Sequence, residues 1–168
     1  LLEWVPSSTG AFAFTVQTSN TVGDDTQSFI VNVLNRPDPK TIIVDNGDSG
    51  TSFVGVWDTS LAPNYYGSSS VVRRDVGTGT YTFTANGVYG TTDVFLWWTQ
   101  TTGRCTSIPV AIYDGATLLN NSIRINQQAN GGQWNRLGTY TFSGTAKVVI
   151  TAIGETCGTN ADAAEFIV

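Results

Sequence analysis

Apolar and polar residues alternate along most of this chain, and glycine, asparagine and proline interrupt the alternation at short intervals. Alternate residues of a β-strand face the same side, so this pattern predicts strands with one face toward a core. The first 35 residues contain three such runs, at 1–4, 11–16 and 27–33. Turn-forming clusters at 6–10 and 21–25 separate these predicted strands.

The segment Arg36-Pro37-Asp38-Pro39-Lys40 interrupts this pattern. Its two prolines hold extended backbone and cannot donate to a sheet, which favours a linker (36–40) between residues 1–35 and 41–168. Beyond the linker the alternation predicts about nine short strands and no helix, typical of a β-sandwich or jelly roll. These strands are predicted near 42–44, 70–74, 79–84, 92–99, 109–113, 122–127, 136–142, 147–152 and 163–168.

Charge is sparse: 12% of residues are charged, against about 25% in an average protein. The net charge is −5 and the eight cationic residues are scattered, so no basic stripe is available for nucleic acid. No apolar run is long enough to span a bilayer, and we therefore expect no membrane insertion. The chain lacks a starting Met and a signal peptide, so we expect Leu1 to be a processed or cut end.

Cys105 and Cys157 are the two cysteines, and both lie in polar, glycine-rich loops. A zinc site would need four ligands, and the chain has no His, so the pair predicts a disulfide. A disulfide would in turn indicate an extracellular or cell-surface location. Two unpaired thiols in a cytosolic protein are the alternative.

Six separated motifs in a fixed order carry a family resemblance. They lie at 42–48, 64–67, 94–99, 126–128, 131–140 and 161–163. Together they resemble the C-terminal domain shared by golvesin and certain xanthan lyases, which is usually described as similar to a carbohydrate-binding domain. The resemblance covers residues 41–168 and implies a galactose-binding-like jelly roll. It also implies a non-catalytic, extracellular recognition module of a bacterial protein, with a polysaccharide or cell-surface glycan as its partner and adhesion as its role.

Residues 1–35 resemble the last strands of the Ig-like or cadherin-like repeats of bacterial surface proteins. This resemblance implies a partial Ig-like β-sandwich before the jelly roll. Three strands alone would leave unpaired backbone groups and an uncovered apolar face. We therefore expect residues 1–35 to pair with another β-domain or with a second copy of the chain. The alternative function is accordingly a structural subunit of a filament, assembled by strand complementation between chains.

Catalysis is not expected. Without His, a Ser or Cys nucleophile lacks its usual base. The remaining option is a pair of carboxylates, and none of the 13 acidic residues lies in a setting that the sequence identifies as apolar burial. We predict that the chain is not an enzyme.

Aromatic residues are the first candidates for a binding site, because sugars lay their apolar faces on exposed rings. The candidates are Trp57, Tyr65, Tyr66, Trp97, Trp98 and Trp134. Tyr65 and Tyr66 are favoured because they lie in a loop. Trp97 and Trp98 are adjacent in a strand and must point to opposite faces, so one of the two is also favoured. Each ring would equally suit the core or the anchoring of a loop.

Acidic residues near the first and last strands are the second candidates. Related jelly rolls often bind a structural calcium ion between these strands, which points to Asp45, Asp48 and Asp162 as ligands, with Asn46 beside them. Asp and Asn are also ordinary residues of tight turns, where they bond their own backbone. We therefore expect a structural calcium ion, and the alternative is that these residues only stabilise tight turns.

Overall fold

The computed structural model describes residues 3–33, 39–74, 79–153 and 156–168. These residues form two compact units, Leu1–Asp38 and Pro39–Val168. The described residues of both units contain strands and turns but no helix, and hence no helix long and apolar enough to cross a membrane. The predicted linker lies outside the described residues, apart from Pro39 and Lys40.

The first unit contains an antiparallel hairpin of β1 (Gly10–Asn20) and β2 (Gly23–Val33). A two-residue turn joins the strands, and the side-chain oxygen of Asn20 accepts hydrogen bonds from the backbone N–H groups of Val22 and Gly23, at 2.8 and 3.2 Å. Asparagine before a turn commonly makes this bond. The predicted turn at 21–25 is thus shorter than expected, because β2 begins at Gly23.

One face of the hairpin is apolar. Strand pairing sets Phe14 opposite Phe29, and their rings stack at 5.7 Å. Trp4 packs edge-on against Phe12 and Phe14, but neither Glu3 nor Trp4 belongs to a strand, so the prediction of a strand at 1–4 is wrong for its described half. Its other half, Leu1 and Leu2, lies outside the described residues. Two strands cannot enclose a core, and Phe29 remains 50% exposed.

The described residues of the second unit form ten strands. They are β3 (Thr41–Asp45), β4 (Thr51–Val54), β5 (Asp58–Thr59), β6 (Val71–Arg73), β7 (Gly79–Trp97), β8 (Ile108–Asp114), β9 (Thr117–Ile125), β10 (Asn135–Ala152), β11 (Thr159–Ala161) and β12 (Ala163–Ile167). The sequence pattern missed the short strands β4, β5 and β11. It also divided β7 and β10 into two strands each, because the glycine-rich middle of both strands looks like a turn.

The fold is organised by β7 and β10, which pair along their whole length. Strands β4 and β8 pair with one half of this ladder and β9 pairs with β8, whereas β12 pairs with the other half and β3 pairs with β12. Between the halves, Gly87 and Gly90 of β7 have φ of 74° and 82°, a conformation that glycine adopts readily, and the register shifts at Gly144 of β10. The continuous sheet therefore bends into the two layers of a β-sandwich.

Side chains from both layers fill one core. Tyr81 and Phe83 come from the first half of β7, and Val94 and Leu96 from the second half. Buried residues alternate within each half, but the alternation changes phase across the bend, so both halves turn their apolar face inward. Phe166 of β12 is also fully buried in this core.

A small sheet of β5, β6 and β11 closes one end of the sandwich. Beside it the predicted disulfide between Cys105 and Cys157 is present, with the two Cα atoms 5.0 Å apart. The backbone N–H of Cys105 donates to the carbonyl of Gly158 at 3.0 Å. The disulfide and this bond join the loop after β7 to the loop before β11.

Candidate functional site

Two loops meet where β7 ends at Trp97. We call residues 60–70 the front loop and residues 126–135 the side loop. The indole N–H of Trp97 donates to the backbone carbonyl of Asn64 at 2.9 Å, which fastens the front loop to the sheet. A side-chain carbon at Gly132 would lie 2.9 Å from Cβ of Asn64, so the side loop can approach this closely only with glycine there.

Three aromatic rings pack together at this junction. We call Tyr66 of the front loop, Trp97 of β7 and Trp134 of the side loop the aromatic cluster. The ring centroids lie 5.8 Å apart for Tyr66 and Trp97, 5.1 Å for Tyr66 and Trp134, and 5.3 Å for Trp97 and Trp134. All three residues are partly exposed. Trp97 packs edge-on against both other rings, and such packing holds the rings in one orientation while leaving surface for a ligand.

The structure separates the two adjacent tryptophans as strand geometry requires. Trp98 is 4% exposed, and its indole N–H donates to the carbonyl of Ala129 at 2.9 Å, so Trp98 belongs to the core and is removed from the candidate binding residues. Tyr65 is 44% exposed and precedes Tyr66 directly in the front loop. Trp57 packs edge-on against Tyr81 and is likewise a packing residue.

Trp134 is one of the aromatic candidates, but no local sequence pattern predicts that the side loop lies against β7, so the sequence does not favour this residue. Backbone and side-chain amide hydrogen bonds hold the side loop in that position. The N–H of Gly132 donates to the carbonyl of Trp98 at 2.9 Å, and the side-chain amide of Asn135 donates to Asn130 and Gln133 carbonyls at 2.8 and 2.9 Å. The side loop is therefore held in shape before any ligand arrives.

A buried polar pair fastens the start of the side loop to β11. Gln127 and Asn160 are fully buried and exchange two hydrogen bonds: the Gln127 amide donates to the Asn160 carbonyl at 2.8 Å, and the Asn160 N–H donates to the Gln127 side-chain oxygen at 2.7 Å. The Asn160 side chain also accepts from the Thr99 N–H and donates to the Val71 carbonyl. This pair explains why the motif at 126–128 contains Gln127, a role that the sequence did not reveal.

Two of the predicted calcium ligands lie under the front loop. The backbone N–H of Tyr66 donates to Oδ1 of Asp162 at 3.2 Å, whereas Oδ2 of Asp162 is buried without a hydrogen-bond partner. At Gly67 a side-chain carbon would lie 2.2 Å from Oδ2 of Asp45. The front loop therefore seats its backbone directly on these carboxylates.

Burial raises the pKa of Asp162 to about 8, and the negative charge of Asp45 adds to the shift. The pKa of Asp45 is also raised, first by burial and then by the charge of Asp48. A carboxyl with an unpaired buried oxygen and an acidic neighbour is costly to ionise unless a cation is present. The electrostatics of Asp45 and Asp162 thus fit a positive ion.

Asp48 takes a different position. Its Oδ2 accepts the backbone N–H of Asp45 at 2.9 Å, and its own N–H donates to the Asp45 carbonyl at 3.0 Å. This is the turn arrangement that competed with the calcium interpretation. In the part of the chain that the structure describes, no group of three or more His, Cys, Asp or Glu side chains converges on one point. Of the three predicted ligands, Asp45 and Asp162 are therefore the two whose electrostatics fit an ion.

A comparison against known protein families identifies the family of the second unit. The Golvesin C-terminal domain family matches residues 42–168, which covers the six motifs and nearly all of the second unit. This chain belongs to the golvesin C-terminal domain family.

Relatives of this golvesin C-terminal domain include a xanthan lyase from Bacillus sp. (strain GL1), 31% identical over 142 residues. The match covers 79% of this chain and 15% of the lyase. The structure of a Paenibacillus xanthan lyase is similar with a TM-score of 0.70 and 31% identity, over 86% of this chain and 14% of that protein. The chain thus spans about one seventh of the length of these two proteins.

A complete carbohydrate-binding module has the same fold. A family 35 module from Clostridium thermocellum matches with a TM-score of 0.54 and 16% identity, over 76% of this chain and 97% of that module. At this identity the match concerns the fold alone. It nevertheless shows that the golvesin C-terminal domain has the β-sandwich architecture of an autonomous carbohydrate-binding module.

Proposed function

We propose that the golvesin C-terminal domain of this chain is a non-catalytic module that binds a glycan at the aromatic cluster and Tyr65. The observation that carries the proposal is the convergence of Tyr66, Trp97 and Trp134, from two loops and a strand, at one partly exposed position. Pyranose rings have apolar C–H faces and polar edges. Aromatic surface bordered by amide and hydroxyl groups matches both parts of such a ligand.

Preorganisation supports this function. Trp97 is fixed by its bond to Asn64, and the side loop is fixed by the bonds of Gly132 and Asn135. A ligand that meets rigid rings does not have to order them on binding, so less of the interaction free energy is lost.

The proposed location is extracellular or at the cell surface. The disulfide between Cys105 and Cys157 supports it, because such bonds persist in oxidising compartments. The kinship with xanthan lyases supports a carbohydrate-related role, with xanthan among the polysaccharides to be tested. None of the comparisons favours a filament subunit or a role in adhesion.

We also infer that a calcium ion is held under the front loop by Asp45 and Asp162. The unpaired, buried Oδ2 of Asp162 supports the inference. A bound cation would stabilise both ionised carboxylates and thereby fasten the front loop to β3 and β12. In differential scanning calorimetry at pH 7.5, millimolar CaCl₂ should raise the Tm of the native chain and should not raise that of Asp162→Asn. Equal Tm shifts in both proteins would show that the ion does not bind there.

The glycan proposal is tested by affinity electrophoresis and titration calorimetry against a panel of soluble polysaccharides. Tyr65→Ala removes exposed aromatic surface without disturbing the anchored cluster and should raise Kd about 5- to 150-fold, corresponding to about 1–3 kcal/mol. The matched control is Tyr89→Ala. Tyr89 is 64% exposed and lies eight residues before Trp97, about 26 Å away along β7. Equal loss of affinity in both variants, or no binding by the native chain, would contradict the proposal.

A further inference from the structure

The two loops of the site carry no charged side chain. Residues 60–70 read Ser-Leu-Ala-Pro-Asn-Tyr-Tyr-Gly-Ser-Ser-Ser, and residues 126–135 read Asn-Gln-Gln-Ala-Asn-Gly-Gly-Gln-Trp-Asn. The structure describes every residue of both loops. The polar side chains that these two loops contribute to the site are therefore hydroxyls and amides.

Charges on the neighbouring sheet surface do not favour an anion either. Strand register places Asp45, Ala163 and Trp97 in one row across β3, β12 and β7, so that row contains no cationic side chain beside Trp97. The next row contains Glu165, Phe95 and Arg136. Both acids lie on the same outer face as Trp97.

Arg136 is the one cation that strand register places on this face among the described residues. Its guanidinium already donates to Asp93, with 2.7 Å between Nη2 and Oδ1, and also to the hydroxyl of Thr139. The Asp93 carboxylate compensates its charge. An acidic sugar at the aromatic cluster would thus find no unpaired cationic side chain on this sheet face.

We infer that the glycan bound at this site is a neutral polysaccharide rather than an acidic one; the inference rests on the proposed function and specifies its ligand class. A carboxylated sugar would lose hydration on the rings without gaining an ion pair with Arg136, while repulsion from Glu165 would oppose it. A neutral sugar offers hydroxyl groups that both donate and accept hydrogen bonds. The amide side chains of Asn64 and Gln133 are exposed at the rim of the site and can do the same.

The affinity for a neutral glycan should depend on salt differently from the affinity for a charged one. Binding between charged partners weakens as salt screens them, whereas hydrogen bonds and ring stacking between neutral groups are little affected. The decisive measurement is therefore Kd for neutral and acidic polysaccharides at low and high salt. Suitable neutral probes are a galactomannan and a mixed-linkage glucan, and suitable acidic probes are xanthan and polygalacturonate.

A charge-adding variant sharpens the experiment. Gln133→Lys places a cation beside Trp134, and Thr117→Lys adds the same charge at an exposed position of β9 as the matched control. The native chain should bind at least one neutral polysaccharide, with Kd changing less than about 2-fold between 20 and 500 mM NaCl, and should bind the acidic ones at least about 10-fold more weakly. Gln133→Lys should gain salt-sensitive affinity for acidic polysaccharides, whereas Thr117→Lys should not.

Opposite outcomes separate the two proposals. If the native chain prefers acidic polysaccharides and loses that affinity in 500 mM NaCl, the inference of a neutral ligand is wrong while glycan binding stands. If both lysine variants gain the same acidic affinity, the added charge acts through the whole surface and the assigned position is wrong. If neither class binds the native chain, the proposed function itself fails.

Discussion

Replacing Gly67 with alanine tests whether the front loop is seated on Asp45. Gly67 has φ of 59°, and a Cβ there would lie 2.2 Å from Oδ2 of Asp45. The carboxylate cannot turn away freely, because its Oδ1 accepts the backbone N–H of Asn46 at 2.8 Å. Gly67→Ala therefore introduces two separate costs, one from the backbone conformation and one from the steric conflict.

Gly115 provides a control for the first cost alone. Its φ is 57°, and a Cβ there would meet no atom within 4 Å. Holding alanine in this left-handed conformation costs about 1–2 kcal/mol, partly offset by the lower entropy of the unfolded chain, so Gly115→Ala should lose about 1 kcal/mol. Gly67→Ala should lower the free energy of unfolding by about 1–3 kcal/mol more, because the added methyl group either overpacks the site or breaks the hydrogen bond from Asn46 N–H to Asp45.

Both variants can be measured by calorimetry and near-ultraviolet circular dichroism. For a unit of this size 1 kcal/mol corresponds to about 4 °C in Tm, so we expect a decrease of about 4 °C for Gly115→Ala and at least about 8 °C for Gly67→Ala. Only Gly67→Ala should change the aromatic spectrum, since it displaces Tyr66 from Trp97. Equal Tm decreases with unchanged spectra would refute the seating of the loop on Asp45.

Three further predictions concern pH, the disulfide and the first unit. The pKa of Asp162 is about 8 in the folded chain, whereas the ordinary value is 3.8, so as pH rises the carboxyl ionises first in the unfolded chain. In EDTA, the free energy of unfolding should therefore fall as pH rises from about 4 to about 8. Asp162→Asn should remove this dependence, and a constant Tm difference between variant and native chain from pH 5 to pH 8 would contradict it. Replacing both Cys105 and Cys157 with serine should lower the free energy of unfolding, measured with denaturant, by about 4 kcal/mol, because the disulfide joins residues 52 positions apart. A decrease below about 1 kcal/mol would show that the disulfide does not restrict the unfolded chain in this way. A chain of residues 39–168 should keep the Tm of the second unit and sediment as a monomer, whereas the whole chain should self-associate with concentration through its exposed hairpin face; a whole chain that stays monomeric at high concentration would exclude self-association.

Short-range pattern predicted much of the second unit. Alternation located most strands of the sandwich, and the period of two correctly required Trp97 and Trp98 to face opposite sides. The two cysteines indicated their own pairing, since the chain has no other partner for either thiol. These features depend on residue type and spacing, which the sequence states directly.

Local pattern misled where backbone conformation depends on distant pairing. Glycines in the middle of β7 looked like turns, but Gly87 and Gly90 bend a strand that stays paired with β10 on both sides. Trp4 lies in the run at 1–4 that was predicted as a strand, yet in the structure its ring packs against Phe12 and Phe14 and its backbone joins no strand. Alternation identifies segments with one apolar face, but it does not show whether the backbone of such a segment pairs with a neighbouring strand.

The sequence by itself determined that this chain is an all-β protein with a disulfide, scarce charge and aromatic loops. Tertiary structure alone decided that Tyr66, Trp97 and Trp134 meet, and that Asp162 is left with a buried, unpaired oxygen. The physical reason is sequence separation. The three rings are spread over residues 66–134, and only the closure of the sandwich, with the bonds that fasten both loops to β7, brings their surfaces together.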